Sequence, residues 1–259
     1  MEGNDIKNQL ITCENCGNHF TGNYCNQCGQ TAHSGRIDFN FVLHQIQSSV
    51  FKFDHGIFYN IRKFFIRPGY SIREYLEGKR IHFMKPFTFL LFLSIIYFLI
   101  SKILPLETPF EEFVSGFREG LLETNEKLST AAVDWMIVNY TYAILIMVPL
   151  FSFSSAFVFY KAKLNLFEHL VINTFTFGQI TFYFIIFFPL RFFVSQDFYS
   201  AVSLIIGLLF LIITYYQVFK KSKLFYLILN IIICLILFML FLLIFMSVLV
   251  AVSTIFNRL

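Results

Sequence analysis

Long uncharged apolar runs fill most of the C-terminal part of the chain. A helix that crosses a membrane needs about 20 mostly apolar residues, and five runs reach that length. The last run continues to Asn257, so a single helix there would be about 50 Å long and would tilt or protrude from a hydrocarbon core of about 30 Å. The predicted spans are residues 86–104, 135–160, 170–190, 198–219 and 224–250.

A different pattern, polar with apolar residues at helical spacing, occupies residues 36–85. Asp38 is placed to cap a first helix, and Asp54 is placed to cap a second. Ser71 and Glu74 have the spacing of a capping box, which predicts a third short helix. We therefore predict basic amphipathic juxtamembrane helices in this segment, followed by a transmembrane domain over residues 86–259.

Composition strengthens the membrane assignment. Hydrophobic residues make up 57% of the 259-residue chain, and 37 residues are Phe. Charged residues make up only 14%, against about 25% in soluble domains. A soluble fold of this size has too small an interior to bury that much apolar surface. These numbers exclude an ordinary soluble globule, a disordered chain and a fibrous repeat.

The distribution of Lys and Arg predicts the orientation of the chain in the membrane. Ten lie before the first span, two at 161–163 and three at 220–223, so 15 of the 20 fall on one side. Cytoplasmic loops carry the excess of basic residues. We expect a multi-pass protein of the bacterial inner membrane with a cytoplasmic N-terminus and an external C-terminus. The acidic loop 105–134 would then be external and carry an amphipathic helix. The polar N-terminal segment lacks the apolar core of a signal peptide.

Four of the five cysteines lie in the N-terminal segment, residues 1–35, as two C-x-x-C-G pairs. This spacing is typical of a zinc ribbon, in which four thiolates bind one Zn²⁺ tetrahedrally and leave no place for water, so the metal would be structural. Two disulfides or a redox pair are the alternatives, but a cytoplasmic location and the lack of a βαβ setting disfavour them. The predicted metal ligands are Cys13, Cys16, Cys25 and Cys28.

The chain between the two cysteine pairs predicts a small hairpin. His19, Phe20 and Tyr24 would form its strands, with a turn at residues 21–23. Such a domain has almost no apolar core, so metal binding would provide the free energy that folds it.

The third predicted span carries the most polar residues of the five. Its polar positions fall within an arc of about 120° at 100° per residue, so they share one helix face. They could form a metal, headgroup or substrate site, but hydrogen bonding between helices is the favoured interpretation, for which Asn139, Gln217 and Asn230 could be partners. No catalytic constellation is recognisable. The candidate residues of this polar membrane site are Glu168, His169, Asn173, Thr176 and Gln179.

The juxtamembrane helices allow two interpretations. Their basic residues and an apolar face with Phe39, Leu43 and Ile46 would suit a helix lying on anionic lipid. Alternatively, the helices pack on the membrane bundle and the charges only fix topology. Nucleic acid is disfavoured as a partner, because residues 1–85 hold ten basic and seven acidic side chains.

Three sequence motifs together resemble a known family. They are the double C-x-x-C-G, the stretch from Arg67-Pro68-Gly69 to Arg80 that contains R-E-Y-L-E-G-K-R, and the Glu168-His169 pair. This combination resembles a bacterial membrane family, the domain of unknown function 3667, over residues 13–190. Relatives often carry further histidines after the Glu-His pair, where this chain has Phe. The five-span layout is also similar to Yip1-type membrane proteins.

We expect a non-enzymatic anchor or scaffold from these observations. Its cytoplasmic zinc ribbon and interfacial helices would bind a protein or lipid partner, and membrane lipids would surround the spans. A small-molecule or lipid transporter is the alternative, based on the polar face of the third span. A membrane enzyme that acts on lipid through Glu168 and His169 is a further alternative. The sequence gives no indication of oligomeric state.

Overall fold

The computed structural model describes residues 10–32, 35–49, 57–104, 110–112, 114–115, 135–219 and 223–256. Asp54 and most of the acidic loop 105–134, with its predicted amphipathic helix, lie outside these residues. Within them the chain is mostly helical, with one small two-stranded sheet near the N-terminus.

Five long apolar helices confirm the polytopic all-α architecture. The fifth is one continuous helix of 33 residues, as the long apolar run allows. The short 3₁₀ turns Tyr160–Ala162 and Phe188–Phe192 follow the second and third helices. The five candidate membrane helices are α4 (Pro86–Ile103), α5 (Tyr140–Val158), α6 (Leu166–Phe187), α7 (Gln196–Val218) and α8 (Leu224–Phe256).

Helix α6 begins four residues before the predicted span because a capping box starts it. The Asn165 side chain accepts a hydrogen bond from the Glu168 N–H at 2.9 Å, and the Glu168 carboxylate accepts one from the Asn165 N–H at 2.7 Å. These bonds satisfy two backbone donors that a helix N-terminus otherwise leaves unpaired. The apolar run that predicts the span does not include this polar first turn of α6.

The packing of α6 against its neighbours fixes the helix directions. Phe89 of α4 lies against Phe175, and Tyr97 lies against Phe184, so α4 and α6 run parallel. Phe89 also packs so closely on Gly178 that a Cβ there would lie 2.8 Å from the ring. A residue with a side chain at this position would push the two helices apart.

Helix α1 (Phe39–Ser49) precedes the membrane helices and has the predicted cap. The Asp38 carboxylate accepts a hydrogen bond from the Phe41 N–H at 2.8 Å. Val42 is buried against the bundle, whereas Phe39, Leu43 and Ile46 are exposed. The predicted apolar face is therefore mostly uncovered by the described residues, although the Phe39 ring contacts Phe167 of α6 with centroids 5.9 Å apart.

Helices α2 (Ile57–Ile66) and α3 (Pro68–Leu76) meet at the Arg67-Pro68-Gly69 motif. The predicted capping box at Ser71 is wrong, because α3 already begins at Pro68. Ser71 lies inside the helix, where its hydroxyl donates to the carbonyl oxygen of Arg67 at 2.9 Å. Proline suits the first position of a helix, since its missing N–H would be unpaired there. Gly78, with a φ of +99°, follows the end of α3, where a left-handed backbone conformation favours glycine.

The break between α2 and α3 lies inside the helix bundle. The Phe64 ring contacts Phe175 with centroids 4.8 Å apart, and it contacts Phe89, the fourth residue of α4, at 5.6 Å. Gly69 packs against α7, where an added Cβ would lie 2.3 Å from the Thr214 carbonyl oxygen. The motif therefore lets two short helices turn within the bundle at close range to α7.

Candidate metal centre and buried polar contacts

The four N-terminal cysteines converge on one point. Their sulfur atoms all lie within 4.8 Å of one another. The Cys13 and Cys28 sulfurs are 3.5 Å apart, and the Cys16 and Cys25 sulfurs are 3.6 Å apart. A tetrahedron of thiolates about 2.3 Å from Zn²⁺ has edges of about 3.8 Å, so these residues fit a four-coordinate metal site.

The two cysteine pairs are held by the same backbone pattern. In the first, the Cys13 N–H donates to Asn18 O at 2.9 Å and the Gly17 N–H to Cys13 O at 2.8 Å. The equivalent bonds in the second run from Cys25 N–H to Gln30 O and from Gly29 N–H to Cys25 O, both at 2.8 Å. Gly17 and Gly29 have φ values of +74° and +78°, which favour glycine. The sequence thus builds the same C-x-x-C-G turn twice, and each turn contributes two sulfur atoms to the candidate metal site.

The predicted hairpin between the cysteine pairs is wrong. Strand β1 (Ile11–Thr12) instead pairs antiparallel with β2 (His19–Phe20), across the first cysteine pair. A single bridge joins Tyr24 to Thr31 across the second. Each C-x-x-C-G turn itself reverses the chain, so the strands flank the turns rather than connect them.

The surroundings of Cys25 favour the thiolate that a metal requires. Burial raises the pKa of Cys25, but hydrogen bonds from the backbone N–H groups of Cys28 and Gln27 contribute to a larger opposing effect, and the resulting pKa is about 6. With four thiolates and no open position, such a site would hold a metal without offering it to substrate.

Residues 10–32 could hold a metal ion and are called the metal-binding segment below; a buried glutamine attaches this segment to the helices. The Gln30 side chain donates to Gly78 O at 2.8 Å and accepts a hydrogen bond from the Arg80 N–H at 3.0 Å. Gln30 directly follows the second C-x-x-C-G turn. No residue pattern marks this contact, because its two ends are about 50 residues apart.

An ion pair makes a second attachment. Arg36 donates two hydrogen bonds to the Glu168 carboxylate, both at 3.0 Å, and a third to Lys163 O at 2.8 Å. The Asn165 side chain also donates to Ile37 O at 2.8 Å. The hydrogen bonds to Glu168 raise the pKa of Arg36. Glu168 is therefore engaged twice, as a helix cap and as the partner of Arg36.

His169 and Asn173 form a buried polar cluster with α5 and α7. The Asn173 amide donates to the hydroxyls of Ser152 and Ser155 at 3.1 and 2.9 Å, and its oxygen accepts from the Tyr215 hydroxyl at 2.7 Å. The His169 Nδ1 atom lies 3.0 Å from the Ser155 hydroxyl, and Nε2 has no hydrogen-bond partner among the described residues. Asn173 of α6 thus connects to two serines of α5 and to Tyr215 of α7, so its hydrogen bonds join three helices.

Gln179 compensates for the proline at the α2–α3 break. In a continuous helix the Phe64 carbonyl would accept from the N–H of residue 68, but Pro68 has none. The Gln179 side chain donates to that carbonyl instead. An unpaired backbone carbonyl or N–H group at membrane depth is tolerated only where another protein group forms a hydrogen bond with it. Gln179 of α6 provides that hydrogen bond for the Phe64 carbonyl.

Gln217 satisfies the other side of the same break. Its side-chain oxygen accepts hydrogen bonds from the N–H groups of Gly69 at 2.9 Å and Tyr70 at 3.3 Å. The first N–H groups of a helix have no partner within it. Two glutamines from different helices therefore pair the polar backbone groups that the Arg67-Pro68-Gly69 motif exposes.

The remaining polar residues have other partners than expected. The Thr176 hydroxyl donates to Ile172 O at 2.7 Å within its own helix, and the Asn139 amide donates to Trp135 O at 2.9 Å. Gln217 bonds α3 rather than α6. Serines and a tyrosine form the hydrogen bonds with α6 instead. Hydropathy patterns do not distinguish those residues from others in a span that only fill space.

Fold and site together define a polytopic helical membrane protein with a small N-terminal segment that could hold a metal ion. Residues 54–98 match the model of a protein family of unknown function, DUF3667. This confirms the family resemblance over α2, α3 and most of α4, where the Arg67-Pro68-Gly69 motif lies. Similarity to Yip1-type proteins stays a prediction. No curated protein and no solved structure matches the chain.

Proposed function

We propose that this protein is a non-enzymatic membrane scaffold in the bacterial inner membrane. In this proposal a cytoplasmic zinc ribbon and interfacial helices bind a protein or lipid partner. The observation that carries it is the direct attachment of the four-cysteine segment through Gln30, with a further attachment through Arg36, four residues after the segment, to Glu168 of α6. A segment held directly and again through the residues that follow it presents a defined surface rather than a tethered, freely moving domain.

The metal we assign to this site is Zn²⁺. Four cysteines with sulfurs 3.5 to 3.6 Å apart in two pairs suit a tetrahedral thiolate site, and none of the five forms a disulfide. Zinc would replace an apolar core, which here consists mainly of Phe20 and buried cysteines. Its role would be structural, because the four thiolates complete its coordination.

The uncovered apolar faces support contact of the juxtamembrane helices with lipid. Phe39, Leu43 and Ile46 of α1 are exposed, and Phe58 of α2 is 81% exposed. The exposed Arg62 lies one helical turn beyond Phe58. Apolar residues flanked by cations suit the cytoplasmic membrane surface, where anionic lipids attract basic side chains.

Site-specific photo-crosslinking in cells would test the scaffold function. A photoreactive residue at the exposed Tyr24 should give a discrete protein adduct that is lost when Cys16→Ser removes a metal ligand. The same residue at Leu209, exposed on α7, provides a control that should crosslink only lipid. A Tyr24 adduct that survives loss of the metal, or no adduct at all, would contradict the proposal.

A lipid or small-molecule permease is the second candidate. It is favoured by a mostly apolar cavity of about 530 Å³ between α5, α6, α7 and α8, near Tyr140 and Phe184. Against it, Asn173 and Thr176 are buried and hydrogen-bonded within the protein rather than lining this cavity. Transport of a labelled lipid in proteoliposomes, lost in a cavity-filling variant such as Gly207→Phe, would favour the permease.

A lipid-modifying enzyme has less support. Glu168 and His169 would be its acid and base, but Glu168 caps α6 and pairs with Arg36, while His169 bonds Ser155. A variant His169→Ala that folds and fully complements a deletion strain would contradict the enzymatic alternative.

A further inference from the structure

A cavity of about 520 Å³ lies where the metal-binding segment meets helices α1 to α3 and the loop before α4. Pockets for small ligands have volumes of about 300–1,000 Å³. His82 and Ile81, which line it, are exposed, so the cavity opens to the surface. Lys85, also in its lining, directly precedes the first membrane helix, which places the cavity at the depth of lipid headgroups.

The lining of this cavity is cationic. Arg80, His82 and Lys85 face it, and no Asp or Glu is among the described residues that line it. Tyr59 and Tyr75 add hydroxyl groups. Such a lining disfavours cations and favours an anion that accepts several hydrogen bonds.

Arg80 is held rigidly by neutral groups. Its guanidinium donates to Tyr75 O at 3.0 Å and to Gly35 O at 2.8 Å, and it lies 4.5 Å from the centre of the Phe41 ring. No carboxylate among the described residues forms an ion pair with it. Burial lowers the pKa of Arg80, and the charges of Tyr75 and Glu168 oppose this effect only in part, so the guanidinium is partly desolvated. A guanidinium fork fixed in this way is suited to a phosphate oxyanion.

We propose that this cavity binds a phosphate group, with Arg80 as its central ligand and Lys85 and His82 flanking it. The phosphate belongs either to an anionic phospholipid or to a soluble phosphate ester. The inference rests on the proposed scaffold function, since it names a ligand for the same cytoplasmic surface. Phosphate would lie between the metal-binding segment and the start of the first membrane helix, because Gln30 and Lys85 line the same cavity.

Two binding measurements on the full-length, zinc-loaded protein test this inference. The first uses nanodiscs of phosphatidylcholine with or without phosphatidylglycerol, followed by native mass spectrometry of the retained lipid. The second is calorimetric titration with glycerol phosphate in phosphate-free buffer. Retention of phosphatidylglycerol alone identifies a lipid source, and glycerol phosphate binding identifies a soluble one; either supports the proposal.

Matched variants separate a built site from general attraction of anions. Lys85→Gln should weaken binding at least about tenfold, since a charge-assisted hydrogen bond is worth about 1.5–3 kcal/mol. Lys79→Gln removes the same charge from an exposed residue of the same loop that is outside the lining, and it should change binding little. His82→Gln should have an intermediate effect. Arg80→Lys tests the fork itself, but Arg80 also supports the segment around Gly35, so the first three variants carry the decision.

Equal effects of Lys85→Gln and Lys79→Gln, or no binding of either probe, would overturn the inference. The zinc content of the same samples distinguishes the two proposals. A protein that retains zinc and gives the Tyr24 adduct but binds no phosphate contradicts only the phosphate site. A protein without zinc contradicts the metal-dependent scaffold.

Discussion

The metal-binding segment and the helix bundle solve the problem of stability in opposite ways. The segment buries few apolar side chains, chiefly Phe20, and depends on four sulfur atoms that converge within 4.8 Å. The bundle buries a large aromatic and aliphatic core, and side-chain hydrogen bonds pair the polar backbone groups at the break between α2 and α3. Covalent-strength ligation suits a segment too small to exclude water, whereas close packing suits helices surrounded by lipid.

Removal of one metal ligand should have the largest effect and should be confined to the segment. Cys16→Ser leaves three thiolates, so the protein should lose its zinc and the segment should become sensitive to protease while helical circular dichroism persists. Elemental analysis and limited proteolysis measure the two effects. Cys234→Ser provides the control, because this buried cysteine lies in α8 away from the cluster. Retention of zinc by Cys16→Ser would refute the four-cysteine assignment.

Substitution of Gly69 should damage the bundle and spare the metal. A Cβ there would lie 2.3 Å from Thr214 O and 2.9 Å from Val218 N, both backbone atoms that cannot turn aside. Gly69→Ala should therefore cost about 1–3 kcal/mol or more of unfolding free energy, measured by denaturant titration in detergent. Gly207→Ala is the matched control, since its Cβ would meet no atom closer than 3.9 Å. Similar losses from both variants would argue against close packing of α3 on α7.

Removal of the Gln179 side chain should have a moderate effect that depends on Pro68. Gln179→Leu leaves the Phe64 carbonyl without its partner, which costs about 1–3 kcal/mol for a buried group. Pro68→Ala restores a backbone N–H at the position that could bond this carbonyl. The cost of Gln179→Leu should therefore fall in the Pro68→Ala background. Additive effects in this double-mutant cycle, measured by the same titration, would show that Gln179 does not compensate for the proline.

Removal of the Arg36 side-chain charge should give the smallest change in stability. It should affect the connection between the metal-binding segment and the bundle more than the bundle itself. Arg36 is mostly exposed, so salt and water screen its pairing with Glu168. Arg36→Gln should lower the melting temperature less than Gln179→Leu does, and the difference from wild type should shrink at high salt. It should still increase proteolysis between the metal-binding segment and α1. A loss as large as that of Gly69→Ala would show that this ion pair governs the bundle itself.

Most of the architecture could be predicted from local patterns. Five apolar runs gave five helices, Asp38 caps α1, and the double C-x-x-C-G spacing brings four sulfurs together. These features depend on residues close in sequence, for which length, periodicity and spacing are sufficient guides. The errors arose where a local pattern had a competing solution. Ser71 and Glu74 fit a capping box, but Pro68 begins the helix earlier.

Long-range contacts could not be predicted in the same way. Gln30 bonds Gly78 and Arg80, Arg36 bonds Glu168, and Gln179 bonds Phe64. Each joins residues that are distant in the chain, and no residue pattern marks one as the partner of the other. The polar face of the third span is visible in the sequence, but nothing in the sequence marks Ser152, Ser155 and Tyr215 as the partners of Asn173.

By itself the sequence determined the apolar helices, the turns that gather the cysteines and the break at Pro68, because steric limits and hydrophobic periodicity act over a few residues. Only the tertiary structure decided what those features are used for. It placed the break inside the bundle, where Gln179 and Gln217 satisfy it, and it placed Arg80 beside a cavity that His82 and Lys85 also line, with no carboxylate ion-paired to Arg80 among the described residues. Hydrogen bonding and desolvation depend on which distant groups come into contact, and only the folded chain determines those contacts.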